Sequence, residues 1–183
     1  MSIESIKSQI PDYAKDIKLN LSSLANDESL TQAQIWGCFY ASAYATGNAN
    51  LIQAIEAETE TKLSEAEKNA AKSAAAIMAM NNVYYRFAHL AKNKEYQTMP
   101  AKLRMNVIGN PGVDKKDFEL WAMAVSVING CGMCIDAHEA ALRNEGMSSS
   151  DIQMAARIAS VTNAVAAVLT AEGALSGDIA KAA

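Results

Sequence analysis

Two thiols and an imidazole fall close together in the run Gly130-Cys131-Gly132-Met133-Cys134-Ile135-Asp136-Ala137-His138. The residues that follow, Ala137 to Asn144, are rich in Ala, Leu, Glu and Arg and stop short of Gly146, the pattern of a helix closed by glycine. Cys131, Cys134, His138 and Leu142 then share one stripe of that helix, with Cys131 at its start. Residues three apart on a helix hold their Cβ atoms roughly 5–6 Å apart, whereas a relaxed disulfide wants about 3.8 Å. A Cys131–Cys134 bond is therefore expected to be strained and easily reduced. As a staple it would contribute at most about 2 kcal/mol for so short a loop. The helix N-terminus also lowers a thiol pKa through its free N–H groups. A drop from about 8.5 to about 6.5 raises the thiolate fraction at pH 7 from about 3% to about 75%. The spacing predicts a redox pair.

Other chemistries compete for the same residues. A buried cysteine often serves only as a small apolar side chain, which is the reading for the solitary Cys38. A zinc site would need four ligands; beyond Cys131, Cys134 and His138 the chain offers Cys38, His89 or a carboxylate, with no second paired motif, and no metal is expected. Attachment of c-type haem requires His directly after the second Cys, where Ile135 stands. No Gly-rich nucleotide fingerprint follows a strand, so no bound NAD(P)H or flavin is expected and reducing power must arrive from another protein.

The 183 residues, half of them apolar, suffice for a single domain over 1–183. The net charge of −4 comes from interspersed acidic and basic residues, which argues against a nucleic-acid face and against a polybasic membrane patch. The N-terminal Met1 to Lys7 is amphipathic rather than a charged leader before an apolar stretch, and no segment reaches membrane-spanning length without polar breaks. This reads as a cytoplasmic protein. Structural disulfides are rare in that compartment, which favours a redox role for CxxC.

Helix signals dominate, so the expected class is all-α. Pro11 can open a helix through Leu24. Thr31 with Gln34 forms a capping box before a run to Ala45, which Gly47 stops. Ser64 with Glu67 repeats that signal before the long run from Ala66 to Lys92. Lys94 to Asp117, with Pro100 and Pro111, reads as one long irregular connection. Asp114 caps Lys115 to Ile128, whose stripe of Phe118, Trp121, Ala122 and Val125 puts Glu119 at the border of the buried face. Ser148 with Asp151 caps the last helix, to about Glu172. A faint repeat sets Gly37-Cys38, Leu63-Ser64 and an Ala-rich run beside Gly130-Cys131, Met147-Ser148 and an Ala-rich run. One reading of it is two related helical halves, about 1–93 structural and about 114–175 redox-active; the other is shared helix-capping signals alone.

The flanks of the dithiol extend the pattern. Phe118-Glu119-Leu120-Trp121, Asn129-Gly130-Cys131, Cys134-x-x-x-His138-Glu139, Leu103-Arg104-Met105-Asn106, the segment Ala76 to Val83 and the opening Pro11 to Ser23 together resemble the alkyl hydroperoxidase D family of the carboxymuconolactone decarboxylase-like superfamily. That resemblance covers nearly the whole chain. It implies a helical subunit of two related halves, assembled as a homotrimer, acting as a weak peroxidase and as a disulfide reductant for the peroxiredoxin alkyl hydroperoxide reductase C. Electrons would come from dihydrolipoyl groups of a lipoylated acyltransferase recharged by dihydrolipoamide dehydrogenase, so the enzyme implied is a lipoyl-dependent alkyl hydroperoxide reductase. Carried over by position, Cys134 would be oxidised to sulfenic acid, Cys131 would close the disulfide, and Glu119 and His138 would relay protons.

Helix-end electrostatics alone favour Cys131 as the thiolate, whereas His138 is better placed to activate Cys134. The incoming lipoyl dithiol is expected to reach Cys131, at an exposed helix start. One departure stands out. The family's dithiol often reads Cys-x-His-Cys, and here Met133 precedes Cys134, a side chain that cannot carry a proton. As plain structural residues, Glu119 would be a solvated helix residue and His138 a surface one. The alternative function is a related superfamily enzyme or a non-catalytic subunit, neither of which needs two thiols.

Overall fold

The computed structural model describes residues 2–177, and among these every regular element is helical. In chain order the α-helices are α1 (Ile3–Gln9), α2 (Lys15–Ala25), α3 (Gln32–Thr46), α4 (Ala49–Thr59), α5 (Glu65–Leu90), α6 (Asn106–Gly109), α7 (Lys115–Ile128), α8 (Gly132–Asn144) and α9 (Ser149–Ser176). The start signals act as expected. Thr31, Ser64 and Ser148 each accept a backbone N–H from the third helical residue, and Gln34, Glu67 and Asp151 reach back to the cap N–H. Gly47, in the left-handed region at φ 70°, ends α3.

Helices α3 and α7 pack on each other at the centre, and α5 and α9 each pack on both. Trp121, Tyr40, Phe39 and Phe118 are the largest side chains sealed there. The α3–α7 crossing needs Gly37, because a Cβ there would fall inside the Trp121 indole. Gly37→Ala is expected to cost about 1–3 kcal/mol through overpacking. Thermal unfolding checks this, and an unchanged midpoint would mean that the indole moves aside freely.

The two halves share an element order but in a different register from the one the sequence suggested. Helices α3, α4 and α5 parallel α7, α8 and α9, with Ser64 and Ser148 heading the long third helix of each. Gly130 (φ 63°) therefore matches Gly47 (φ 70°), not Gly37. Cys131 likewise matches Asn48, since each caps the second helix by accepting the backbone N–H three residues on. Cys38 lies in mid-α3, so its likeness to Cys131 arose from local composition. The crossover is reciprocal: α5 of the first half covers α8, and α9 of the second covers α4.

Other expectations shift at the edges. Pro11 precedes a 3-10 turn over Asp12–Ala14 before α2 begins, α9 runs four residues beyond Glu172 to Ser176, and Lys94 to Asp117 contains both a 3-10 turn (Lys94–Gln97) and α6. Helix α4 had no counterpart in the sequence reading, nor did α1 as a formed element. Contrary to the expectation that polar breaks would interrupt every apolar segment, α9 is long and apolar enough to cross a membrane by length and composition. Here it buries Ile152, Met154, Ala155, Ile158, Val165 and Leu169, and packs on α2, α3 and α7, as a core helix does.

Candidate redox site

The turn from α7 to α8 sets the thiols. Gly130 takes positive φ, the Cys131 N–H bonds Ser126 O at 3.1 Å, and Cys131 adopts extended backbone as the α8 cap. Cys131 thus lies outside the helical stripe assumed from its spacing, and the argument from Cβ separations on a helix surface does not apply to it. A Cys131–Cys134 disulfide spans a Cα–Cα distance of 5.3 Å, within the ordinary range. The Sγ of Cys131 accepts the Cys134 backbone N–H at 3.3 Å, which places it where α8 presents its free donors.

Glu119 projects from α7 and His138 from α8. They meet with Nδ1 2.6 Å from Oε2, and both are buried, at 6% and 7% exposure. The readings of Glu119 as solvated and of His138 as a surface residue are thereby overturned. With Glu119 ionised, Nδ1 holds the proton and donates it to the carboxylate, an assignment made from the hydrogen-bond pattern. The other ring nitrogen, Nε2, faces Met78 Sδ at 3.3 Å. A thioether has no proton to give, so the Met78 contact supplies Nε2 with no donor.

That cavity, about 340 Å³, is where the site residues converge. Cys134, Glu119 and His138 line it together with Met78, Asn81, Tyr85, Met105, Ile108 and Met133. Cys134 opens on it, whereas Cys131 is fully buried and does not line it. The expected approach to an exposed Cys131 is therefore corrected: burial in the α7–α8 turn leaves Cys134 as the sulfur that the cavity serves. Met133 stands in the wall, so its thioether occupies space where an imidazole would have offered a proton.

Two contributions from α5 had escaped the sequence. Met78 closes on His138, and a polar chain ties the dithiol turn to the helix. Asn82 Nδ2 donates to Ser126 Oγ at 3.0 Å, Asn129 Nδ2 donates to Asn82 Oδ1 at 2.9 Å, and Arg86 donates to Asn129 O at 2.6 Å. The only trace in the sequence was a pair of asparagines inside an apolar helical run, where an amide competes poorly unless it has a distant partner.

Cys38 is buried and free, with its sulfur 3.9 Å from Leu120 O. Burial pushes its thiol pKa far up, which removes it as a nucleophile. Among the described residues no three His, Cys, Asp or Glu side chains are grouped so as to hold a metal ion.

The fold is all-helical, α3–α5 and α7–α9 share an element order, and the dithiol at the start of α8 stands beside a buried Glu–His pair. Residues 94–176 match the carboxymuconolactone decarboxylase family, which defines the broad class. Over nearly its full length the chain is similar to alkyl hydroperoxide reductase AhpD of Maricaulis maris, at 60% identity covering 94% of this chain and 99% of that one. It is also similar to the AhpD of Hyphomonas neptunium, at 62% identity covering 97% and 99%, and to that of Azorhizobium caulinodans, at 59% covering 95% and 96%. The chain belongs to the AhpD family within the carboxymuconolactone decarboxylase superfamily.

Proposed function

We propose that this chain is an antioxidant oxidoreductase that takes electrons from dihydrolipoyl groups, reduces hydroperoxides weakly, and passes most of its reducing equivalents to a peroxiredoxin of the alkyl hydroperoxide reductase C type. The observation that carries the reading is the opening of Cys134, one half of a disulfide, onto a cavity shared with the buried Glu119–His138 pair. A lipoyl thiolate attacks Cys134 Sγ, the Cys131–Cys134 bond breaks, and Cys131 leaves as a thiolate stabilised at the α8 N-terminus. The second lipoyl thiol then displaces Cys134, which yields lipoyl disulfide and the reduced protein.

In the peroxide half-reaction the Cys134 thiolate attacks the terminal oxygen of ROOH. The O–O bond breaks, Cys134 becomes sulfenic acid, and RO⁻ takes a proton to give ROH. That proton comes from the Cys134 thiol: His138 Nε2 takes it as the thiolate forms and hands it to RO⁻, while Glu119 holds the ring at Nδ1. Cys131 condenses with the sulfenic acid, releases water and restores the disulfide. Transfer to the peroxiredoxin is the same exchange run against a partner disulfide.

Apolar residues Val83, Phe87 and Leu90 project from one face of α5, beside Tyr96 and Met99. An exposed face of this kind supports self-association, and the homotrimer belongs to this proposal. So does a cytoplasmic setting, where lipoylated complexes and peroxiredoxins meet.

The test is reconstitution of hydroperoxide turnover from NADH with dihydrolipoamide dehydrogenase, a lipoylated acyltransferase, this protein and a peroxiredoxin, omitting each in turn. Loss of turnover on omitting any protein of the chain up to this one is expected. Direct rapid reduction of the disulfide by NADH or NADPH alone would overturn the reading.

A further inference from the structure

The wall of the cavity at the dithiol includes a buried amide that the proton relay does not use. Asn81, on α5, is 4% exposed and lines the cavity with Cys134, Glu119 and His138. Among the described residues its Oδ1 has no hydrogen-bond partner, although its neighbour Asn82 has every amide function engaged. A buried amide oxygen left unpaired carries its desolvation cost with nothing to offset it. Ser42 Oγ and Trp121 Nε1 are the other such atoms, and neither lines this cavity.

Several other polar atoms of the wall are engaged or weak. Glu119 and His138 bond each other, Met78, Met105 and Met133 offer only thioether sulfur, and the Tyr85 hydroxyl donates toward Met105 Sδ at 3.9 Å. A ligand that brings an O–H into this space finds in Asn81 Oδ1 a buried acceptor with no protein partner.

We propose that Asn81 is a substrate-binding residue whose Oδ1 accepts the O–H of the hydroperoxide and so presents the terminal oxygen to Cys134. This rests on the peroxide half-reaction proposed above. A hydroperoxide ROOH carries one acidic O–H, on the oxygen that the thiolate attacks. As the S–O bond forms and the O–O bond breaks, that hydrogen stays on the transferred oxygen and the bond to Asn81 passes intact to the sulfenic acid. The alkoxide RO⁻ takes the proton that His138 Nε2 has received from the Cys134 thiol. A thiol S–H is a far weaker donor, so the lipoyl half-reaction gains little from the same carbonyl.

That asymmetry supplies the test. Pre-reduced wild type, Asn81→Leu and Asn81→Ser are mixed with cumene hydroperoxide, and the second-order rate of thiol oxidation is measured. The oxidised proteins are separately mixed with dihydrolipoamide. Both variants are expected to lose about tenfold in the peroxide reaction, the scale of one hydrogen bond to a neutral group, and to keep the dihydrolipoamide rate within about twofold. Asn81→Leu should unfold no earlier than wild type, since the residue loses no protein partner; should Leu prevent folding, Asn81→Ser decides. Equal peroxide rates in wild type and variants, or equal losses in both half-reactions, would overturn the role of Asn81 alone. A wild type inert to hydroperoxide yet reducible by dihydrolipoamide would overturn the peroxide reading, and this inference with it.

Discussion

Cys134→Ser is expected to abolish both half-reactions, whereas Cys131→Ser should abolish turnover and still leave a single oxidation event. The difference follows from burial. Cys134 opens on the cavity, so with serine in its place no thiol meets the substrate, and the fully buried Cys131 is not an alternative. With serine at 131, the Cys134 thiol reacts once with hydroperoxide and stops as sulfenic acid, because nothing condenses with it. Mass spectrometry of the Cys131→Ser protein after one equivalent of peroxide should show one added oxygen, trapped by a sulfenic-acid reagent. The same adduct in Cys134→Ser, carried on Cys131, would reverse the roles of the two thiols.

The second large effect concerns the buried carboxylate–imidazole pair. Glu119→Gln keeps the shape of the side chain but removes the charge that holds the Nδ1 proton, so the ring is no longer committed to presenting a bare Nε2 to the cavity. Peroxide-driven thiol oxidation is expected to slow by about 10²-fold, the usual size of a positioned proton transfer. His138→Asn should lose a similar factor. The two losses should not multiply in the double variant, since both residues serve one proton path. Fully additive losses would mean that Glu119 acts on the reaction by some route other than His138.

Much of this site was legible in the chain because its chemistry is local. The CxxC, the His one turn on and the Glu four positions into the preceding helix lie within a segment of contiguous helices, and the capping residues Asp114 and Ser148 bracket it. Three capping boxes marked the starts of α3, α5 and α9 for the same reason, since each is written in four adjacent residues. What required the folded chain was anything supplied from a distance. Met78, Asn81, Asn82 and Arg86 sit on α5, in an alanine-rich run whose periodicity reveals a buried face but not what lies opposite. Helix α4 was missed although Asn48 caps it and Leu51 and Ile55 recur at helical spacing, because no Glu or Gln stands at its third position to complete the cap. The exposure of Cys131 was misjudged because its position at a helix start says nothing about what covers that end, and the turn of Gly130 folds the sulfur inward.

Severed near residue 94, where the match to the superfamily begins, this chain would part into one piece holding both thiols, Glu119 and His138, and another holding α5. The first piece would carry the recognisable signature and still lack its ceiling: the thioether against His138, the amide beside Cys134 and the asparagine clasp on the dithiol turn would all be gone. Anyone grafting this chemistry onto a new scaffold would have to import a helix from outside the signature along with it. The unit that is transplantable is α5 together with α7 and α8.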